Sequence, residues 1–227
     1  MDMDYKGLRK LDKNLRKNSD NYLSMIAIGS TVTGDPYIEG RTEDDILLIF
    51  NEDPLKEMSL IEKILKKSKF EERYAFSPKP KAEFGNAESK YSFSDAFRSK
   101  TLHGEDLVSQ AKLPDKEKTK EIYSNGLKEV KNELYNLILN SKFWTTKKME
   151  DKSWKQFKNL FMYLAIREYS LSGDYPKTRN EISRRLDSIS IEGAFNVLHS
   201  INNQSKKEIV KCARDVIGYL DRIETTE

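Results

Sequence analysis

Cysteine, histidine and tryptophan are nearly missing from this 227-residue chain, at one, two and two residues. A single thiol, Cys212, closes no internal disulfide and offers no cluster of soft metal ligands, so thiolate-metal and disulfide chemistry are excluded. No excess of one charge is present either: 40 basic residues stand against 37 acidic ones, a formal net charge of +3. General nucleic-acid binding, which needs a strong positive field, is therefore not indicated. The sequence also lacks any run of about 18 apolar residues, and its start, Met1-Asp-Met-Asp-Tyr-Lys, has no apolar signal core. A cytoplasmic protein with no membrane partner is expected.

What is present is a heavily charged surface around an ordinary core, with 34% charged and 37% hydrophobic residues. The length suits two domains of roughly 100 residues, each able to bury its own core. Runs such as Lys63–Lys69 and Lys116–Lys120 interleave with acids and read as solvated helix faces.

Leu8, Leu11 and Leu15 predict an amphipathic helix over Tyr5–Lys17. Two apolar runs, from Leu23 to Gly29-Ser30 and from Asp45 to Phe50, predict buried strands. Asp53-Pro54 opens a helix whose apolar face is Leu60, Ile61, Ile64 and Leu65. Two prolines break the stretch Tyr74–Lys81, and Lys81–Phe84 with Lys90–Phe93 suggest a hairpin about Gly85-Asn86. This order is α/β (α+β).

From about Asp115 strands vanish and helical stripes take over, at Tyr123, Leu127, Val130, Leu134 and Ile138, then Trp154, Phe157, Leu160, Phe161 and Leu164. Gly173 ends the second of these helices, while Thr178…Glu181 and Ser205…Glu208 are capping-box patterns. Residues 113–227 are expected to form an all-α bundle of four or five helices, and residues 1–112 the mixed-sheet domain.

The chemistry concentrates between Gly29 and Asp45. A strand ends in Gly29-Ser30, Gly34 follows, and Glu43-Asp44-Asp45 opens the next strand. Glycine lets the backbone approach phosphate oxygens, and the serine hydroxyl adds a donor. Carboxylates two apart on a strand share a face, so Glu43 and Asp45 suit a hard cation while Asp44 points away. Magnesium, or manganese, prefers such oxygen ligands together with substrate phosphates.

This stretch resembles the DNA polymerase β-type nucleotidyltransferase superfamily, whose signature is Gly-Ser, a further glycine, then Asp-x-Asp heading an apolar strand. Gly29-Ser30, Gly34 and Glu43-Asp44-Asp45 followed by Ile46-Leu-Leu-Ile carry the likeness, with Glu43 where the first aspartate stands. The resemblance implies nucleotide binding at Gly29 and Ser30, metal at Glu43 and Asp45, and a third carboxylate on a later strand. Glu83, between Ala82 and Phe84, has the phase of such a residue and ranks above Asp95, which also fits the start of a helix. The region from Asp95 to Leu107 and the helical part are similar to small-molecule adenylyltransferases, where the acceptor lies between two domains.

The implied reaction is metal-dependent transfer of a nucleoside monophosphate from a triphosphate such as ATP to an acceptor hydroxyl on a small molecule, protein or RNA. Pyrophosphate leaves, and Glu43, Asp45 and Glu83 are catalytic. Two alternatives stand beside it: a degenerate nucleotide-binding or protein-interaction module, encouraged by Glu43, and an RNA-modifying nucleotidyltransferase. His103, placed in a Leu-His-Gly turn, and His199 read as structural, and Trp144 and Trp154 as core or interface residues.

Overall fold

Leu8, Leu11 and Leu15 line the buried face of helix α1 (Tyr5–Asn18) in the computed structural model, each with no exposed surface. The structure describes residues 5–33, 44–68, 70, 74–87, 91–186, 188–199 and 204–224. The chain divides into two compact units, one ending at Asp115 and one beginning at Lys116.

In the first unit, strand β1 (Tyr22–Ile28) leads through Gly29 into a single helical turn, α2 (Ser30–Thr33). Strand β2 (Asp44–Phe50) follows. Asp53 then caps a one-turn 3₁₀ helix with its Oδ1, which accepts from the Leu55 N–H at 2.9 Å, and Pro54 takes its first position. This turn runs into α3 (Met58–Ser68), where Ile61 and Ile64 are buried as its apolar spacing predicts. Strand β3 (Tyr74–Pro80), helix α4 (Ser92–Phe97) and strand β4 (Ser99–Gly104) complete the unit.

The sheet has the order β3-β2-β1-β4; β1 is antiparallel to β2 and β4, and β2 is parallel to β3. Alternation along β2 separates two cores. Ile46, Leu48 and Phe50 join the leucines of α1 and the isoleucines of α3, whereas Leu47 and Ile49 meet Ile26, Phe84 and Leu107 on the other face. Burial on both faces explains why β2 is apolar without interruption from Ile46 onward.

The expected break at Tyr74–Lys81 does not occur. β3 runs through Pro78 and Pro80, which is compatible with its place at the sheet edge, where a missing N–H need not cost a ladder bond. The expected hairpin is absent too: Lys81–Glu83 form a 3₁₀ turn and Ser92–Phe97 a helix. His103 lies within β4, opposite Met25, rather than in a turn.

The second unit holds five helices among the described residues: α5 (Lys116–Asn140), α6 (Thr146–Ser172), α7 (Arg179–Leu186), α8 (Ile189–His199) and α9 (Lys206–Glu224). Tyr123, Leu127, Val130 and Leu134 are buried along α5; the stripe closes on Leu137, while Ile138 is only half-buried. Gly126 lets α5 and α6 approach closely, since a Cβ there would run into the ring of Tyr163. Gly173 ends α6 in the left-handed conformation, φ 76°, with its N–H donating to the Tyr169 carbonyl at 2.8 Å. At α9 the capping box closes reciprocally: the Ser205 N–H donates to Glu208 Oε2 at 2.7 Å and the Glu208 N–H to Ser205 Oγ at 3.3 Å. At α7 the Glu181 N–H donates to Thr178 Oγ1 at 3.0 Å, but the Glu181 carboxylate reaches the Lys177 N–H instead.

Trp144 and Trp154 are half-buried, with the Lys148 and Lys158 ammonium groups 4.8 Å and 5.2 Å from their ring centres. The side chain of His199 lies outside the described residues. No described helix is long and apolar enough to cross a membrane.

Candidate nucleotide and metal site

β1 ends at Ile28, and the chain turns at Gly29 with φ 70°, a conformation that costs an L side chain about 1–2 kcal/mol. The turn is held by its own backbone. The Gly29 N–H donates to the Arg98 carbonyl at 2.8 Å, and the Gly29 carbonyl accepts from the N–H groups of Val32 and Thr33, both at 3.1 Å. The Gly29 N–H is thus engaged within the protein, and a donor for an anion has to come from the residues that follow it, beginning with Ser30. Among the described residues, its N–H and hydroxyl make no hydrogen bond. Glycine supplies the bend and serine the donors.

Asp45 stands beside this turn because Asp45 pairs with Ile28, the residue before Gly29. A Cβ placed on Gly29 would lie 3.9 Å from Asp45 Oδ2, with nothing else within 4 Å. The structure therefore brings together the two ends of the sequence signature. Asp44 and Asp45 are both half-buried, and the strand period turns them to opposite faces. Glu43 and Gly34 lie outside the described residues.

The carboxylate of Asp45 is a hard oxygen donor beside the Gly29 turn. This suits magnesium, which takes one or two protein carboxylates and completes its shell with phosphate and water. Among the described residues no three His, Cys, Asp or Glu side chains converge.

Glu83 is not on a strand. It sits exposed on the 3₁₀ turn after β3, and alternation across three residues, Ala82, Glu83 and Phe84, does not distinguish such a turn from extended chain. The turn itself is fixed: Lys81 pairs with Glu105 at 2.7 Å, and the Phe84 N–H donates to the Lys81 carbonyl at 3.1 Å. Asp95 lies in the first turn of α4 with 6% of its surface exposed, and its Oδ2 accepts from the Gly85 N–H at 3.0 Å. Burial raises its carboxyl above the ordinary aspartate value, opposed by that hydrogen bond and by Lys79. Asp95 is a buried brace.

On β3 the positions opposite Asp45 and Leu47 are Ala75 and Ser77. Neither carries an acid. At the other edge of the sheet, Ser99 and Thr101 of β4 stand opposite Ile28 and Ile26 and bring hydroxyls to the same face. β4 and its hydroxyls escaped the sequence reading; the alternation Ser99, Thr101, His103 was the available signal. In the second unit, burial pushes the Cys212 thiol up to about 12, so it is no nucleophile at neutral pH.

No protein-family model matches this chain, and no curated protein matches it. Among solved structures it is similar to spectinomycin adenyltransferase AAD(9) from Enterococcus faecialis, determined with ATP and spectinomycin. The TM-score is 0.54 at 13% identity, over 96% of this chain and 99% of that one. The chain has the nucleotidyltransferase fold, a mixed four-stranded sheet with helices followed by an all-helical part.

Proposed function

We propose that this chain is a nucleotidyltransferase that binds ATP with a divalent cation at the Gly29–Asp45 site. It would pass the nucleoside monophosphate to a hydroxyl of a small molecule and release pyrophosphate. The observation that carries this reading is the meeting of Asp45 Oδ2 with the Gly29 turn, which Ser30 follows with an N–H and hydroxyl that make no hydrogen bond among the described residues. ATP and a small acceptor are preferred because the adenyltransferase of similar fold was determined with both ATP and spectinomycin.

In this mechanism Ser30 donates to the terminal phosphates, and Asp45, with Glu43, holds magnesium or manganese. The bound cation would offset charge on the leaving oxygen and hold the phosphates for in-line attack. Glu83 is the proposed base, since it is accessible to solvent whereas the Asp95 carboxylate is buried and bonded to Gly85. The division of labour follows the chain, with residues 1–112 as the catalytic domain and 113–227 as the helical one. A cytoplasmic location agrees with the lone buried thiol.

A second reading has its own support. Ala75 and Ser77 stand on β3 where a strand-borne acid would face Asp45, which favours a module that binds nucleotide without turning it over. Incubating the full chain with labelled ATP, magnesium and a panel of small hydroxyl compounds separates the two. Transfer with pyrophosphate release supports the enzyme; saturable binding without release supports the module; no ATP binding at all rejects both.

A further inference from the structure

Lys116, Lys120, Tyr123 and Leu127 fall on one stripe of α5, at i, i+4, i+7 and i+11, and Lys128 lies beside it. The stripe borders two adjoining hollows of about 390 and 300 Å³ that share Lys120 and Tyr123. Both lie wholly within the second unit, and none of their residues belongs to the nucleotide site. The larger is closed by Leu171 of α6; the smaller is closed by Arg167, one turn earlier, and by the end of α9 at Ile223 and Glu224.

The two kinds of side chain are sorted. Tyr123 and Leu127 are 4% and 5% exposed and make an apolar floor, which Leu171, 61% exposed, extends at the rim. The charges stand around it. Four cations, Lys116, Lys120, Lys128 and Arg167, line the hollows against two acids, Glu117 and Glu224. Glu224 is already bonded to Lys131 at 2.8 Å, so its charge is compensated from outside the groove. Arg167 is engaged within the protein, its Nη1 3.4 Å from Glu168 Oε1, and its side chain is 12% exposed, so it forms part of the wall rather than of the free rim. Lys120 and Lys128 form no ion pair among the described residues.

An apolar floor with exposed lysines at its rim complements a molecule with an apolar body and one anionic end. Covering Tyr123, Leu127 and Leu171 removes apolar surface from water, while the lysines hold the charged end at the edge without desolvating it fully. We propose that this groove binds a small amphipathic anion, a carboxylate or sulfonate on an aliphatic or aromatic body.

The test uses the full chain and anilinonaphthalene sulfonate, whose fluorescence rises on entering an apolar site. Octanoate is expected to displace the probe, whereas octyltrimethylammonium, of similar length and opposite charge, does not. Excess ATP with magnesium leaves the signal unchanged, because the nucleotide is proposed to bind elsewhere. The double variant Lys120→Glu/Lys128→Glu, altered only at exposed positions, weakens probe binding by about tenfold or more with its circular dichroism unchanged. Leu171→Asp, also exposed, weakens it independently should the double variant fold poorly. Displacement by ATP, equal displacement by the two octyl compounds, or undiminished binding in a folded charge-reversed variant would overturn the proposal.

Discussion

Gly29 and Asp45 face each other across the β1–β2 pair, the glycine bare of a side chain where Asp45 Oδ2 comes within 3.9 Å of the place a Cβ would take. The carboxylate thus stands at the bend that Ser30 follows.

Asp45→Asn keeps shape and removes charge. ATP binding that depends on magnesium is expected to be lost, with the thermal melt and circular dichroism of the wild type retained. Titration calorimetry with and without magnesium measures this, and wild-type binding by the variant would remove Asp45 from the site.

Gly29→Ala has room for its methyl group, so its cost lies in the backbone. A positive φ at alanine costs about 1–2 kcal/mol. The variant should melt lower by that amount and bind triphosphate more weakly, as the turn shifts away from φ 70°. Gly29→Asn, which tolerates this region better, should lose less of both.

Glu83→Gln tests the proposed base. ATP affinity is expected to stay within about twofold, because Glu83 is assigned no phosphate or metal, while pyrophosphate release falls by roughly 10²-fold or more, the usual contribution of general base catalysis. Unchanged release would exclude Glu83, and with it the last acid proposed for proton transfer.

Asp95 gives a pH signature. Its folded-state value is raised by burial, so between the ordinary aspartate value and the folded one the native state holds a proton that the unfolded chain has lost. Stability from this group is full below that window and declines as pH rises through it. Asp95→Asn keeps an oxygen for the Gly85 N–H and carries no charge; relative to wild type it should match at pH 3.5 and be equally or more stable at pH 7. Asp95→Ala leaves that buried N–H without its acceptor and should lose about 1–3 kcal/mol throughout. Melts of the three proteins across pH 3.5–7 check the differences.

Gly126→Ala drives a methyl group into the Tyr163 ring, and the two long helices must separate to admit it. A loss of about 1–3 kcal/mol is expected from overpacking, read by chemical denaturation. Gly126→Ala combined with Tyr163→Leu, which vacates the ring, should recover part of the loss.

The fold was legible in the sequence wherever a pattern was long or its capping chemistry local. Leu8, Leu11 and Leu15, the apolar run of β2, the Asp53-Pro54 start and the Gly173 stop each announce themselves, and each stands as its spacing implies. Gly29, Ser30 and Asp45 were legible as a set, but the engagement of the Gly29 N–H by Arg98 was not, since that bond spans distant parts of the chain. β3 was hidden because proline breaks an interior strand but not an edge one, and edge position is a property of the sheet rather than of the segment. Glu83 was misplaced because three residues of alternation are too few to define a period. β4, Ser-Lys-Thr-Leu-His-Gly, is polar enough to pass for a linker until its pairing with β1 is seen.

The prolines of β3 also bear on how this protein behaves among copies of itself. Pro78 and Pro80 are two residues apart, so both lack an N–H on the same side of the strand, and the side that can forgo donors without losing ladder bonds to β2 is the open one. An edge that would otherwise present a row of N–H donors is thereby stripped of two in succession. A strand from a second chain approaching there would find acceptors without the donors that lock its register, which disfavours growth of the sheet beyond β3.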